Sequence, residues 1–223
     1  MSDNLNIYRC TPRQVRGFVI DCLMAGLVPF VQSSPGMGKS SIMHSIAQEL
    51  NLCLIDHRLS TSAPEDLSGL PHFGADGQAR FSPFADLFPI NGAKLPINLE
   101  TGKEYDGWML FLDEFNSASK SVQAAAYKLI LDRMVGQHKL HERVVITTAG
   151  NLSTDRAITN PISTAMQSRV VHLEMQISFE EWLYDVALKQ DYDSRIIAFL
   201  SQYNNKLMDF RPDHQDKTFA CPR

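Results

Sequence analysis

The stretch that decides the fold follows the apolar run 27–31 and reads Ser33-Ser34-Pro35-Gly36-Met37-Gly38-Lys39-Ser40. Gly36 and Gly38 can adopt backbone conformations that other residues avoid, so successive N–H groups can point inward at a bound anion. The residues after the loop, 41–50, carry apolar side chains at helical spacing. A strand, a glycine-containing loop and a helix in this order predict a loop that binds phosphate groups.

The residue types in this loop predict a nucleoside triphosphate as its ligand. Lys39 would place its ammonium on the β- and γ-phosphates, and the hydroxyl of Ser40 would ligate Mg²⁺. The pattern usually begins with glycine; Ser33 stands there instead, at a position that is mainly a tight turn, and serine tolerates many turns. The alternative is a Gly/Ser turn followed by a surface lysine. The predicted nucleotide-binding residues of the loop are Ser34, Pro35, Gly36, Met37, Gly38, Lys39, Ser40 and Ser41.

The second motif is Met109-Leu110-Phe111-Leu112-Asp113-Glu114, four apolar residues followed by two acids. This pattern predicts a buried parallel strand whose carboxyl end opens into a ligand crevice. Asp113 would hold Mg²⁺ through water, because Mg²⁺ keeps several waters. Glu114 would polarise the attacking water as a general base. The alternative is an acidic turn near a helix start.

Two more polar residues lie next to predicted strands. Asn151 follows the apolar strand 143–148 and could orient the attacking water or contact the γ-phosphate, although asparagine is also common in turns. Arg169 precedes the apolar strand 170–173 and could reach the nucleotide of a neighbouring subunit. A surface salt bridge is the alternative role for Arg169.

The motifs SSPGMGKS, FLDEFN, ITTAGN, AMQSRV and a closing CPR, in this order, resemble those of AAA+ ATPases. The chain is most similar to the MoxR-like and dynein-related group, which typically shows Asp-Glu-hydrophobic-Asn where this chain has Asp113 to Asn116. The resemblance covers about 11–223. It implies an α/β P-loop NTPase fold over 1–175, a three-layer αβα sandwich with a parallel five-stranded sheet. A small α-helical lid would begin over 176–223 and would continue beyond Arg223 in the family.

The resemblance also implies roles for individual residues. Lys39, Glu114, Asn151 and Arg169 would be the catalytic set, with Asn151 as sensor 1 and Arg169 as an arginine finger. Asp113 and Ser40 would hold the Mg²⁺ ion that accompanies ATP. Arg223 would be the sensor 2 arginine that contacts the nucleotide.

The composition is that of an ordinary globular protein, with 223 residues, 44% hydrophobic and 21% charged. A net charge of −4 gives no sign of a strongly basic nucleic-acid surface. No apolar run is long enough for a membrane span, and the N-terminus lacks the apolar core of a signal peptide. The four cysteines show no paired spacing, so we expect free thiols in a cytoplasmic protein.

The two phosphate-site motifs predict a Mg²⁺-dependent ATPase, and the resemblance implies that it works as a homo-oligomeric ring, expected to be a hexamer. The resemblance implies remodelling of a protein client, commonly with a von Willebrand factor A-domain partner. A nucleic-acid motor or loader of the McrB or helicase-loader type is a second hypothesis, for which a hairpin at 136–142 with Lys139 gives thin support. A nucleotide-gated scaffold with little turnover is the third. The loop-rich insertion 57–107 is of a length that is usually functional.

Overall fold

The computed structural model describes residues 8–155, 159–211, 213 and 218–222. The strands in these ranges are β1 (Tyr8–Cys10), β2 (Val28–Ser33), β3 (Leu52–Arg58), β4 (Leu70–Phe73), β5 (Ala79–Ser82), β6 (Gly107–Asp113), β7 (Met134–Val135), β8 (His138–Lys139), β9 (Val144–Asn151) and β10 (Val170–Met175). The α-helices are α1 (Pro12–Met24), α2 (Lys39–Glu49), α3 (Pro64–Ser68), α4 (Lys120–Asp132), α5 (Thr164–Gln167), α6 (Phe179–Trp182) and α7 (Ser194–Gln202).

The central sheet is parallel and has the strand order β1-β10-β2-β9-β6-β3. The predicted α/β fold with a parallel sheet is confirmed, but the predicted number of five strands was wrong, because β1 adds a sixth at the edge. In β1, Tyr8 pairs with Leu173 and Cys10 with Met175. Only Cys10 of this short strand is buried. The segment therefore lacks the apolar run that marks the other strands, and its pairing depends on the finished edge of β10.

Helices cover both faces of the sheet and make the three layers. Leu110 and Leu112 of β6 pack on one face with α4, whereas Met109 and Phe111 pack on the other face with α1 and α2. Every residue of β6 is buried. Side chains of a strand alternate between the two faces, so a strand buried on both faces must be apolar throughout.

Two helix boundaries show how local chemistry sets the elements. α1 begins after Thr11, because the Thr11 hydroxyl accepts a hydrogen bond from the Gln14 N–H at 3.4 Å and the Gln14 side chain accepts one from the Thr11 N–H at 3.0 Å. The helix after β6, α4, is also limited by its end residues. It starts after Ser119 and ends at Arg133, whose left-handed φ of 53° stops the helix.

The predicted hairpin after α4 is present in part. β7 and β8 pair antiparallel, with Gly136 at a φ of 57° in the turn. Val135 points into the core and is fully buried. Val135 belongs to the same core cluster as Leu129 and Ile130 of α4, so the turn of the chain after the helix places this residue in the core.

The insertion before β6 holds α3 and the two-stranded hairpin of β4 and β5. Phe88 of this insertion is buried in the main core, whereas Phe73 near the hairpin tip is 79% exposed. After β10 the chain is helical, with α6, a π-helical turn over Leu183–Ala187 and α7. Trp182, Ala187 and Leu207 form a small separate core there. No helix within the described ranges is both long and apolar enough to cross a membrane.

The burial pattern predicts which leucine the fold depends on. Leu110 is fully buried in β6, whereas Leu99 in the insertion is 95% exposed. Leu110→Ala should lower the free energy of unfolding by about 2–5 kcal/mol, because it leaves a cavity in close-packed core. Leu99→Ala should change it by less than about 0.5 kcal/mol. Urea denaturation of both variants measures the difference, and equal values would contradict the placement of β6 at the centre of the core.

Candidate nucleotide site

The phosphate loop lies between the end of β2 and the start of α2. Gly36 and Gly38 have φ values of 78° and 82°, the left-handed region that favours glycine. α2 begins at Lys39, so its first N–H groups and the positive end of its dipole face the loop. Ser33, which stands where the pattern usually has glycine, is a fully buried strand residue without a positive φ. The backbone therefore does not require glycine at this position.

The ammonium of Lys39 lies against the loop and the neighbouring strand. Its Nζ donates to the Ser33 carbonyl oxygen at 3.1 Å, to the Ser33 hydroxyl at 3.2 Å and to Oδ1 of Asn151 at 3.3 Å. Burial lowers the pKa of Lys39 to about 8, although the negative charges of Asp113, Asp155 and Glu114 oppose this shift. Lys39 is thus a largely buried cation with three carboxylates nearby.

Ser40 and Asp113 form the pair predicted to hold a metal ion. The Ser40 hydroxyl donates to Oδ2 of Asp113 at 3.2 Å, and Asp113 is only 6% exposed. The other carboxylate oxygen of Asp113 accepts a hydrogen bond from the Glu114 N–H at 2.8 Å. A hydroxyl and a carboxylate side by side are oxygen ligands of the kind Mg²⁺ prefers, and one or two protein ligands suffice beside phosphates. These residues fit Mg²⁺.

Glu114 is directed toward the end of β3. Its backbone is left-handed, with a φ of 53°. Its carboxylate accepts a hydrogen bond from the Ser60 hydroxyl and lies 3.6 Å from Nε of Arg58. Sequence analysis missed both contacts. No local pattern indicated them, because they depend on the pairing of β3 with β6, in which Arg58 lies beside Asp113.

Asn151 reaches the loop because of strand register. It ends β9 and pairs with Ser33 at the end of β2. The structure therefore brings Lys39, Ser40, Asp113 and Asn151 together at one sheet edge, while Glu114 lies beside them. Asp155, which sequence analysis also missed, is 9% exposed, and its Oδ2 has no hydrogen-bond partner among the described residues.

A cleft of about 830 Å³ opens next to the loop, between α1 and the helical segment that follows β10. Clefts of roughly 300–1,000 Å³ are typical of small-ligand sites. Met37, Gly38 and Ser41 line its inner side. Arg13 links α1 to the helical segment after β10. Its backbone N–H donates to Glu181 at 2.9 Å, and its Nε donates to Asp185 at 2.6 Å.

The two candidate arginines lie apart from this cluster. Arg169 is exposed at the end of α5, and its side chain makes no hydrogen bond or ion pair with the described residues. Arg223 lies outside the described residues. The segment before Arg223 approaches the loop. Sγ of Cys221 lies 2.6 Å from the position that a Cβ on Gly36 would occupy, so the two segments are in contact. The Trp182 Nε1–H also donates to the Pro222 carbonyl oxygen at 3.0 Å.

Sheet topology and site geometry define a P-loop α/β fold, and solved structures share it. The chain is similar to a protein of Cytophaga hutchinsonii described as a "putative ATPase", at 14% identity and a TM-score of 0.50, over 94% of this chain and 53% of that one. It is also similar to the RuvB Holliday junction branch migration motor of Thermotoga maritima, at 16% identity and a TM-score of 0.45, over 77% of this chain and 46% of that one.

The chain spans about half the length of these two structures. Neither a protein-family model nor a curated protein matches it. At 14% identity and a TM-score of 0.50, the likeness to the Cytophaga hutchinsonii structure supports the fold and nothing further. The roles of the individual site residues therefore remain predictions.

The lowered pKa of Lys39 can be measured by its reactivity. Only the neutral amine is acylated, so the rate at Lys39 should rise with pH and level off above about 8, followed by peptide mass spectrometry. Asp113→Asn removes a negative charge that favours the ammonium, so it should move the midpoint to lower pH. A rate that rises unchanged toward about 10.4, the ordinary lysine value, would contradict the burial of this group.

Proposed function

We propose that this chain is the nucleotide-hydrolysing part of an AAA+ ATPase, with an α/β domain over 1–175 and the start of a helical lid over 176–223. One observation carries the proposal. The Lys39 ammonium contacts Asn151 at 3.3 Å, and the Ser40 hydroxyl contacts Asp113 at 3.2 Å, at one edge of the parallel sheet. A turn with a surface lysine would leave these groups apart, whereas phosphate and metal binding requires them together.

The arrangement supports a defined division of tasks. The loop N–H groups and Lys39 would bind the β- and γ-phosphates of ATP, and Ser40 with Asp113 would hold Mg²⁺, which neutralises phosphate charge when bound. Glu114 would accept a proton from the attacking water at its carboxylate, once that carboxylate turns away from Ser60 and Arg58. Asn151 would orient the same water.

The exposed arginine at the end of α5 supports a ring. The Arg169 side chain is exposed and makes no hydrogen bond or ion pair with the described residues, and in the proposal it acts on the nucleotide of the next protomer. An arginine supplied in trans can raise turnover by about 10³–10⁵. Hydrolysis would then require assembly, and a hexamer is the ring we propose.

The client of the ring is proposed as a protein, in the manner of MoxR-like ATPases with a von Willebrand factor A-domain partner. The residues Asp113-Glu114-Phe115-Asn116 and the net charge of −4 support it. Binding to DNA that weakens steeply with salt would favour the nucleic-acid motor instead. Nucleotide binding without turnover at any concentration would favour the scaffold.

Specific activity as a function of protein concentration tests the central claim. With Mg²⁺ and saturating ATP, phosphate release per protomer should climb with concentration, since each site needs a neighbour. Constant and substantial activity per protomer would mean that every chain is self-sufficient, and the ring would have to be abandoned.

The role of Glu114 predicts a variant that binds but does not turn over. Glu114→Gln should lower kcat by about 10²–10⁴, because an amide cannot accept the proton of the attacking water. Its affinity for a fluorescent ATP analogue should remain. Glu100→Gln makes the same chemical change on an exposed loop residue and should leave both quantities unchanged. Wild-type turnover by Glu114→Gln would exclude this residue as the general base.

The trans role of Arg169 predicts that two inactive variants complement each other. Arg169→Ala keeps the loop but supplies no arginine, whereas Lys39→Ala supplies the arginine but binds no phosphate. Each alone should lose most turnover, by about 10³-fold or more for the arginine variant. Mixing them should restore activity, measured as phosphate release across mixing ratios. Mixtures as inactive as the separate variants would contradict action between subunits.

A further inference from the structure

The side chain of Asn116, two residues after Glu114, donates one hydrogen bond to the main chain of Asn151 and accepts another from it. Its Nδ2 donates to the Asn151 carbonyl oxygen at 2.7 Å, and its Oδ1 accepts from the Asn151 N–H at 3.0 Å. Asn116 is only 4% exposed, so water does not compete for these bonds. The side chain thus ties the turn after the metal-binding strand to the end of the neighbouring strand.

The strand pairing explains why this bond matters. The ladder between β6 and β9 ends at the pair of Leu112 and Thr148, three residues before Asn151. On the other side, the ladder with β2 continues to the pair of Ser33 and Asn151. Beyond Thr148, the side of β9 that faces β6 therefore has no strand partner. The carboxamide of Asn116 supplies the donor and the acceptor that a continued strand would have provided.

The neighbouring residues pack closely around the carboxamide of Asn116. A Cβ at Gly150 would overlap Oδ1 of Asn116, so only glycine lets the amide approach. The Asn116 carbonyl oxygen accepts from the Asn160 N–H at 2.6 Å, which holds the main chain of the turn. The preceding Phe115 is buried and packs edge-on against Phe30 of β2, with ring centroids 5.8 Å apart. The amide is thereby held in place before it meets Asn151.

We propose that Asn116 is a positioning residue that fixes Asn151 for hydrolysis, an inference that rests on the proposed function. Among the described residues, the side chain of Asn116 makes no hydrogen bond to Lys39. It holds the backbone from which the Asn151 side chain reaches Lys39 Nζ at 3.3 Å. A backbone free to move at this point would carry the Asn151 amide away from the water it orients, without removing the phosphate-binding loop.

The test compares Asn116→Ala and Asn116→Asp with a control that loses a similar buried bond elsewhere. Gln123 is 2% exposed and donates to the Ala118 carbonyl oxygen at 3.3 Å, and within the described ranges it makes no hydrogen bond to Asn151. Gln123→Ala should lower the melting temperature but leave kcat near wild type. Asn116→Asp keeps the shape and an acceptor for the Asn151 N–H but loses the donor, so it provides a folded variant should the alanine variant be too unstable.

Three readouts are expected to agree for the Asn116 variants. We expect kcat to fall by about tenfold to a hundredfold, since a displacement of about 1 Å can cost about 10² in rate. The Kd for a fluorescent ATP analogue should stay within about threefold, because ground-state binding is not the interaction removed. Hydrogen exchange at 149–151 should accelerate, while exchange in 144–147 stays slow.

A double-mutant cycle separates positioning from general damage. In an Asn151→Ala background the substitution Asn116→Ala should lower kcat no further, because the group it positions is absent. Additive losses, or unchanged exchange at 149–151, would overturn the inference. A wild-type protein without turnover would instead contradict the proposed function, and the exchange measurement alone would then decide whether Asn116 holds the end of β9.

Discussion

The parallel register of four neighbouring strands is the constraint on which the candidate site depends. β2, β9, β6 and β3 pair so that Ser33 lies beside Asn151 and Arg58 lies beside Asp113. Parallel strands bring their carboxyl ends to one edge, which is where ligands bind in such sheets. A slip of one residue in β6 would exchange its two faces and turn Asp113 away from Ser40. The apolar side chains buried on both faces therefore hold the polar site in position.

The charge of Lys39 is the second element of this arrangement. Burial disfavours its ammonium, and the nearby carboxylates favour it, so the group has a pKa of about 8. In the proposed function, phosphate oxygens would replace the Ser33 and Asn151 oxygens as partners of Nζ. Asn151 would then be free to bind water, while Asn116 keeps its backbone in place. Asn151 and Lys39 are thus linked through the hydrogen bond between Oδ1 and Nζ.

Local patterns predicted much of the fold. The positions of β2 and β6 followed from an apolar run before a glycine loop and from an apolar run that ends in two acids. The sixth strand could not be predicted, because Tyr8–Cys10 carries one buried side chain and is a strand only through its neighbour β10. The end of α4 at Arg133 likewise depends on tertiary structure, because Val135, two residues later, is buried in the main core.

The sequence by itself determined the type of each candidate group and its place along the chain: a flexible loop at Gly36 and Gly38, a lysine at a helix start, and an acid pair after an apolar strand. These are local properties of neighbouring residues, so the order of the chain is sufficient to read them. Only the tertiary structure decided which groups meet. The contacts of Glu114 with Arg58 and Ser60, and of Asn116 with Asn151, join segments that are far apart in sequence. Strand order and register set those contacts, and both arise from packing of the whole sheet rather than from any local pattern.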